Sequence, residues 1–131
     1  MPRLIAALFT AFALLAAAPS ALWAQSRAVQ SQGAAAFLSV IEDVPLMPGL
    51  TERADAAVLF DKPEGRIVEA EATGRLVRAE VLKFYAASLP QLGWRARGEG
   101  RFLRDREELA LSFASGAGGV VTVRFTLSPD R

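Results

Sequence analysis

The sequence predicts an α+β domain: an antiparallel sheet of about five strands in ββαβββ order, covered on one face by a single amphipathic helix. Three observations carry this. Residues 56–73 read as a hairpin punctuated by Pro63 and Gly65. Residues 76–89 hold the chain's one sustained helical period, stopped by Pro90 and Gly93. Residues 109–114 and 121–127 alternate apolar and polar side chains on either side of a glycine-rich link.

The first hairpin opens with the strand AAVLFD, residues 56–61. Lys62-Pro63-Glu64-Gly65 is its turn, because Pro63 presets φ and Gly65 accepts a positive φ. In residues 66–73, Val68, Ala70 and Ala72 alternate with Glu69, Glu71 and Thr73, the pattern of a half-buried strand with one wet face. Glu69 and Glu71 share that wet face and repel unless an arginine lies across from them. Gly74 ends the strand.

Across residues 76–89, Val77, Val81, Phe84 or Tyr85, and Ser88 recur every three or four positions and lead on to Leu92, while Leu82, Tyr85 and Leu89 widen the stripe. Pro90 must end the regular turns, and Gly93 is placed as a C-terminal stop. Trp94 opens a strand region that Gly98-Glu99-Gly100 interrupts as a bulge or turn and Phe102-Leu103 resumes. Leu109, Leu111 and Phe113 form one alternating strand, and Val121, Val123, Phe125 and Leu127 form the next; Ser115 to Gly119 link them. The helix is expected to bury Phe84, Tyr85 and Leu89 against Val68, Leu111, Val123 and Phe125, with Trp94 plugging the core.

The chain begins differently. Arg3 precedes a fifteen-residue apolar run, residues 4–18, broken only by Thr10 and followed by Pro19-Ser20 and Ala21-Leu22-Trp23-Ala24. This is the pattern of a signal peptide over 1–24, cleaved after Ala24, and it predicts a periplasmic product. The run is short for a ~30 Å hydrocarbon core, although an uncleaved leader retained as a membrane anchor is a second reading. Residues 25–42 are expected to be a flexible N-terminal segment and 43–129 the single domain. Within the first of these, residues 33–41 fit a short helix or a strand equally well.

The chain has 131 residues, with 15 Lys+Arg, 14 Asp+Glu, no Cys and no His. Losing Arg3 with the leader brings the charge balance to zero, which gives no general attraction to nucleic acid. Without Cys or His there is no disulfide framework, no Cys/His zinc site, no catalytic thiol and no His general base. No serine sits in a G-x-S-x-G elbow, and Lys83 and Ser88 are five residues apart, off the favourable helical spacing. The cluster Asp105, Glu107 and Glu108 lacks the alternating acids and mid-loop glycine of a calcium loop. No catalytic residue, metal site or cofactor is expected.

Two stretches stand out as candidate contact surfaces. Residues 45–50 carry Leu46, Met47 and Leu50 between two prolines and a glycine; such a strip covers a core or docks a partner. Arg95, Arg97, Arg101, Arg104 and Arg106 crowd residues 95–106, where guanidiniums suit carboxylate or anionic groups, while Glu99, Asp105, Glu107 and Glu108 offset most of the charge.

Three blocks, Pro45-Leu46-Met47-Pro48-Gly49-Leu50, Phe60-Asp61-Lys62-Pro63-Glu64-Gly65-Arg66, and Phe84-Tyr85 with Leu89-Pro90-Gln91-Leu92-Gly93-Trp94, resemble those of a group of small exported bacterial proteins of unassigned activity. The resemblance spans most of residues 43–129. It implies secretion and a small α+β module, and it transfers no catalytic residue. The expected function is therefore a non-enzymatic exported module that binds an envelope protein or a membrane surface, and not nucleic acid. A small anionic-ligand-binding domain and a membrane-anchored accessory protein are the alternatives, and the oligomeric state stays open.

Overall fold

A computed structural model describes residues 36–130. The expected leader, residues 1–24, and its expected cleavage site lie outside the described residues, as does the stretch 25–35.

The fold is α+β, with an antiparallel sheet and one α-helix among the described residues. The strands are β1 (Thr51–Glu52), β2 (Val58–Lys62), β3 (Gly65–Gly74), β4 (Arg95–Ala96), β5 (Arg101–Arg104), β6 (Glu107–Ser115) and β7 (Val121–Pro129), and the helix is α1 (Arg78–Ser88). The sheet has seven strands rather than about five. One extra strand comes from Gly98-Glu99-Gly100, which turns the chain fully and splits one expected strand into β4 and β5, with Gly98 and Gly100 both at positive φ. The other is the two-residue β1, too short to show a period.

The strands run β1-β3-β7-β6-β5-β4, with β2 beside β1 on the same side of β3. The hairpin β2–β3 forms as expected, with Lys62 opposite Gly65 and Pro63-Glu64 between them. From β3 the chain must reach β4 at the far edge. It does so through α1, which crosses one face of the sheet and so becomes its cover. The chain then meanders back through β5 and β6 to β7, which pairs with β3.

The helix starts later than its apolar period suggests, because Val77 is extended (φ −90°, ψ 148°) and has no side-chain acceptor for the first turn. Glu80 reaches back to the Val77 N–H at 3.5 Å instead. At the other end Pro90 tightens the chain into a 3-10 turn over Leu89–Leu92. Gly93 then takes the left-handed conformation at φ 88°, and the Trp94 N–H donates to the Leu89 carbonyl at 3.1 Å.

The core lies between α1 and the inner face of the sheet. Val68, Ala70 and Ala72 of β3, Val121, Val123 and Phe125 of β7, Leu109 of β6 and Phe102 of β5 are buried against Val81, Tyr85 and Leu89, with Trp94 closing one end. Phe84 and Leu111, expected inside, are only half-buried, because α1 turns Tyr85 rather than Phe84 toward Phe125. The rings of Tyr85 and Phe125 meet edge to face at 5.3 Å, and Phe84 packs on Tyr85 at 5.0 Å.

The expected domain start at residue 43 is corrected by Leu38 and Ile41, which are 1% and 4% exposed and belong to the core. Over residues 36–50 the chain forms neither helix nor strand. It doubles back on itself: Leu38 N–H donates to the Val44 carbonyl at 3.0 Å, Leu46 N–H to the Ala36 carbonyl at 2.7 Å, and Phe37 bridges to Pro45. Glu52 of β1 accepts from the Ser39 N–H at 3.0 Å and from its hydroxyl at 2.9 Å, which pins the segment to the sheet edge. Among the described residues no helix is long and apolar enough to cross a membrane.

Candidate functional site

The strip 45–50 is fastened down by Tyr85. Its hydroxyl donates to the Pro45 carbonyl at 2.8 Å and accepts the Met47 N–H at 3.2 Å. Burial pushes the Tyr85 phenol well above its ordinary pKa, so the hydroxyl stays protonated and keeps its donor role. Val44, Pro45 and Leu50 are buried, while Leu46 and Met47 are half-buried against the same core. Gly74 sits so close to the Gly49 carbonyl that a Cβ there would collide with it. Leu50 thus points inward, and of the candidate contact residues on this strip only Leu46 and Met47 keep part of their surface.

The arginine stretch does not stay together. Within β5, side chains alternate, so Arg101 and Arg104 leave opposite faces of the sheet. Arg104 goes to the inner side. Its guanidinium lies over the Trp94 ring at 4.4 Å, donates to the Leu92 carbonyl at 3.3 Å and binds the Asp43 carboxylate at 2.6 Å. This cluster walls a cleft of about 410 Å³, floored by Val68, Leu127 and Ile41 and rimmed by Arg66, Glu42 and Glu107.

Arg95, Arg97 and Arg101 gather on the outer side. Arg97 binds Asp130 at 2.7 Å and approaches Glu108 at 3.7 Å, and Arg101 also reaches Glu108 at 3.7 Å. Ser128 and Pro129 complete a shallow cleft of about 350 Å³. Arg95 is exposed and makes no ion pair among the described residues. Two guanidiniums and two carboxylates cancel here. An anion bound by Arg97 and Arg101 would have to displace Glu108 and Asp130, while a surface of alternating charge meets its complement without displacing either.

Further along the same outer face lie Glu69, Glu71, Thr122, Arg124, Thr126, Ala110 and Ser112, in register across β3, β7 and β6. The arginine that Glu71 requires is Arg124, directly opposite it at 2.6 Å, with Arg53 at 3.6 Å. The Glu71 carboxylate holds the Arg124 guanidinium charged, raising its pKa. Arg124 and Ser112 on this face are exposed, and Glu69, Glu71, Ala110, Thr122 and Thr126 are half-buried.

Sequence reasoning grouped the arginines by proximity along the chain and missed Asp43, sixty-one residues from Arg104. The odd spacing between Arg101 and Arg104 was the one signal that would have separated them. No protein-family model, curated protein or solved structure matches this chain.

Proposed function

We propose that the chain is an exported, non-enzymatic module that binds a protein partner through the uncovered outer face of its sheet, at the end where Arg95, Arg97 and Arg101 stand. The single observation that carries this is the asymmetry of the sheet. One face is sealed by α1 and residues 36–50, while the other leaves half-buried Thr122, Thr126, Ala110 and Leu103 beside exposed arginines. Small side chains flanked by paired charges give a flat, polar platform of the kind that protein interfaces use outside their cores. The charge balance of Arg97, Arg101, Glu108 and Asp130 favours a protein over an anionic membrane surface or a small anion. The leader pattern over residues 1–24 supports export.

A photo-activated cross-linking side chain at Ala110 or Ser112, in the full chain expressed in an exporting host, tests it. A discrete cross-linked protein is expected from both positions and none from Lys83 on the exposed side of α1. Cross-links from Leu46 or Met47 alone would move the contact to the strip. Flotation with anionic vesicles in place of cross-linking would assign the surface to the membrane.

A further inference from the structure

The two edges of the sheet are not alike. β4 ends one side with two exposed residues, too short to template another strand. β2 lies on the other side and is five residues long, with Leu59 53% and Phe60 50% exposed. Its pairing with β3 fixes where its backbone points. Lys62 and Gly65 close a two-residue hairpin loop and are a hydrogen-bonded pair, as are Phe60–Ile67 and Val58–Glu69 by alternation. The N–H and C=O groups of Leu59 and Asp61 therefore face away from β3. Neither residue has a further backbone partner among the described residues.

We infer that β2 pairs antiparallel with β2 of a second copy of this chain, about a two-fold axis at Phe60. The outward groups decide the register. Only odd-numbered residues can exchange hydrogen bonds across the new edge, so the axis falls at Leu59, Phe60 or Asp61. At Asp61 two carboxylates would oppose each other, which is unfavourable. At Leu59 the outer bonds would need the Ala57 N–H, which already donates to the Ala54 carbonyl at 3.4 Å. At Phe60 every outward group is used: Leu59 exchanges hydrogen bonds with Asp61 of the second copy, and Asp61 with Leu59.

That register also matches side chains. Phe60 meets Phe60 as a non-hydrogen-bonded pair, where Cα atoms approach to about 4.5 Å and aromatic rings pack well. Lys62 falls opposite Val58 of the second copy, and Val58 has Glu69 on its other side. The Lys62 and Glu69 Cα atoms are then roughly 10 Å apart on one face, a span that a lysine and a glutamate bridge over the valine between them. Lys62 and Glu69 make no ion pair among the described residues, so the pairing supplies each with a partner twice over. The pairing is isologous about the two-fold axis and uses the same edge of both copies, so it closes as a dimer rather than a fibre, and Pro63, with no N–H, ends the ladder. The inference stands on the geometry of β2 alone and does not rest on the outer-face reading.

Sedimentation velocity across a concentration series, on protein produced from the full 131-residue chain, tests it. A concentration-dependent dimer is expected. Phe60→Asp should weaken it at least tenfold with the melting profile retained. Lys62→Glu and Glu69→Lys should each weaken it, and the double variant should recover most of the association. A monomer at every concentration up to about 1 mM, a dimer indifferent to Phe60→Asp, or charge reversals that fail to rescue each other would overturn the inference.

Discussion

The two faces of the sheet are built from the same strands, and adjacent residues on them meet opposite fates. On β7, Phe125 is wholly buried while Arg124 and Thr126 beside it look outward. On β3, Ala70 and Ala72 are sealed while Glu69 before them and Glu71 between them lie half-buried on the charged side. The difference comes from topology rather than composition. The helix must cross the sheet to carry the chain from β3 to the far edge, and only the face it crosses becomes dry. Stability therefore resides on one side of a one-residue alternation, and the freedom to contact something else resides on the other.

The sharpest way to break that comparison is a pair of neighbouring truncations. Phe125→Ala should cost about 3–5 kcal/mol, since the hole would lie among the apolar surfaces of Tyr85, Ala70 and Leu111. Thr126→Ala, one residue on, should stay within about 0.5 kcal/mol. Urea denaturation of both variants measures the contrast. Similar losses at the two positions would mean that the outer face is covered as well.

Tyr85→Phe probes how the strip is held to the dry side. The substitution keeps the ring but leaves the Pro45 carbonyl and the Met47 N–H without their partner, a loss of about 1–3 kcal/mol. It also carries a pH signature. Folding holds the phenol protonated above its unfolded pKa of about 10, so the folded state binds more protons than the unfolded one beyond that pH. The stability this group contributes is fully present below pH ~10 and falls above it by up to about 1.4 kcal/mol per pH unit. The slope should be missing in Tyr85→Phe; parallel alkaline profiles for the two proteins would show that the buried hydroxyl is not the titrating group.

Much of this division was legible before any coordinates, and the reason is periodicity. Val68, Ala70 and Ala72, and Val121, Val123 and Phe125, declare the dry face by alternation, and Pro90 with Gly93 declares where the helix must stop. The need for a cation opposite Glu71 was also readable, and register supplied Arg124. What stayed hidden lacks a period or spans a long separation. Leu38 and Ile41 enter the core from an irregular segment whose hydrogen bonds run back to Val44 and Ala36, so no helical or strand pattern marks them. The strip 45–50 read as cover before dock, and it is the distant Tyr85 hydroxyl that fastens it down as cover. The exposed edge at β2 was invisible for a related reason: a hairpin's sequence says which strands pair, not which one is last in the sheet.

The smallest expected effect is the one that best isolates the outer face. Glu71 is an enclosed carboxylate on that face, with its side chain 13% exposed between Arg124 and Arg53. Glu71→Gln keeps the shape and removes the charge, leaving two exposed guanidiniums facing an amide. Exposed cations relax into solvent, so the loss in stability should be smaller than for Tyr85→Phe. It should also be salt-dependent, because at 1 M ionic strength screening shortens to about 3 Å and the wild-type advantage shrinks. Denaturation midpoints for both proteins at low and high salt decide it. A large loss that salt leaves untouched would mean that Glu71 works as a desolvated core group, and the outer face would then be a second dry layer rather than an open one.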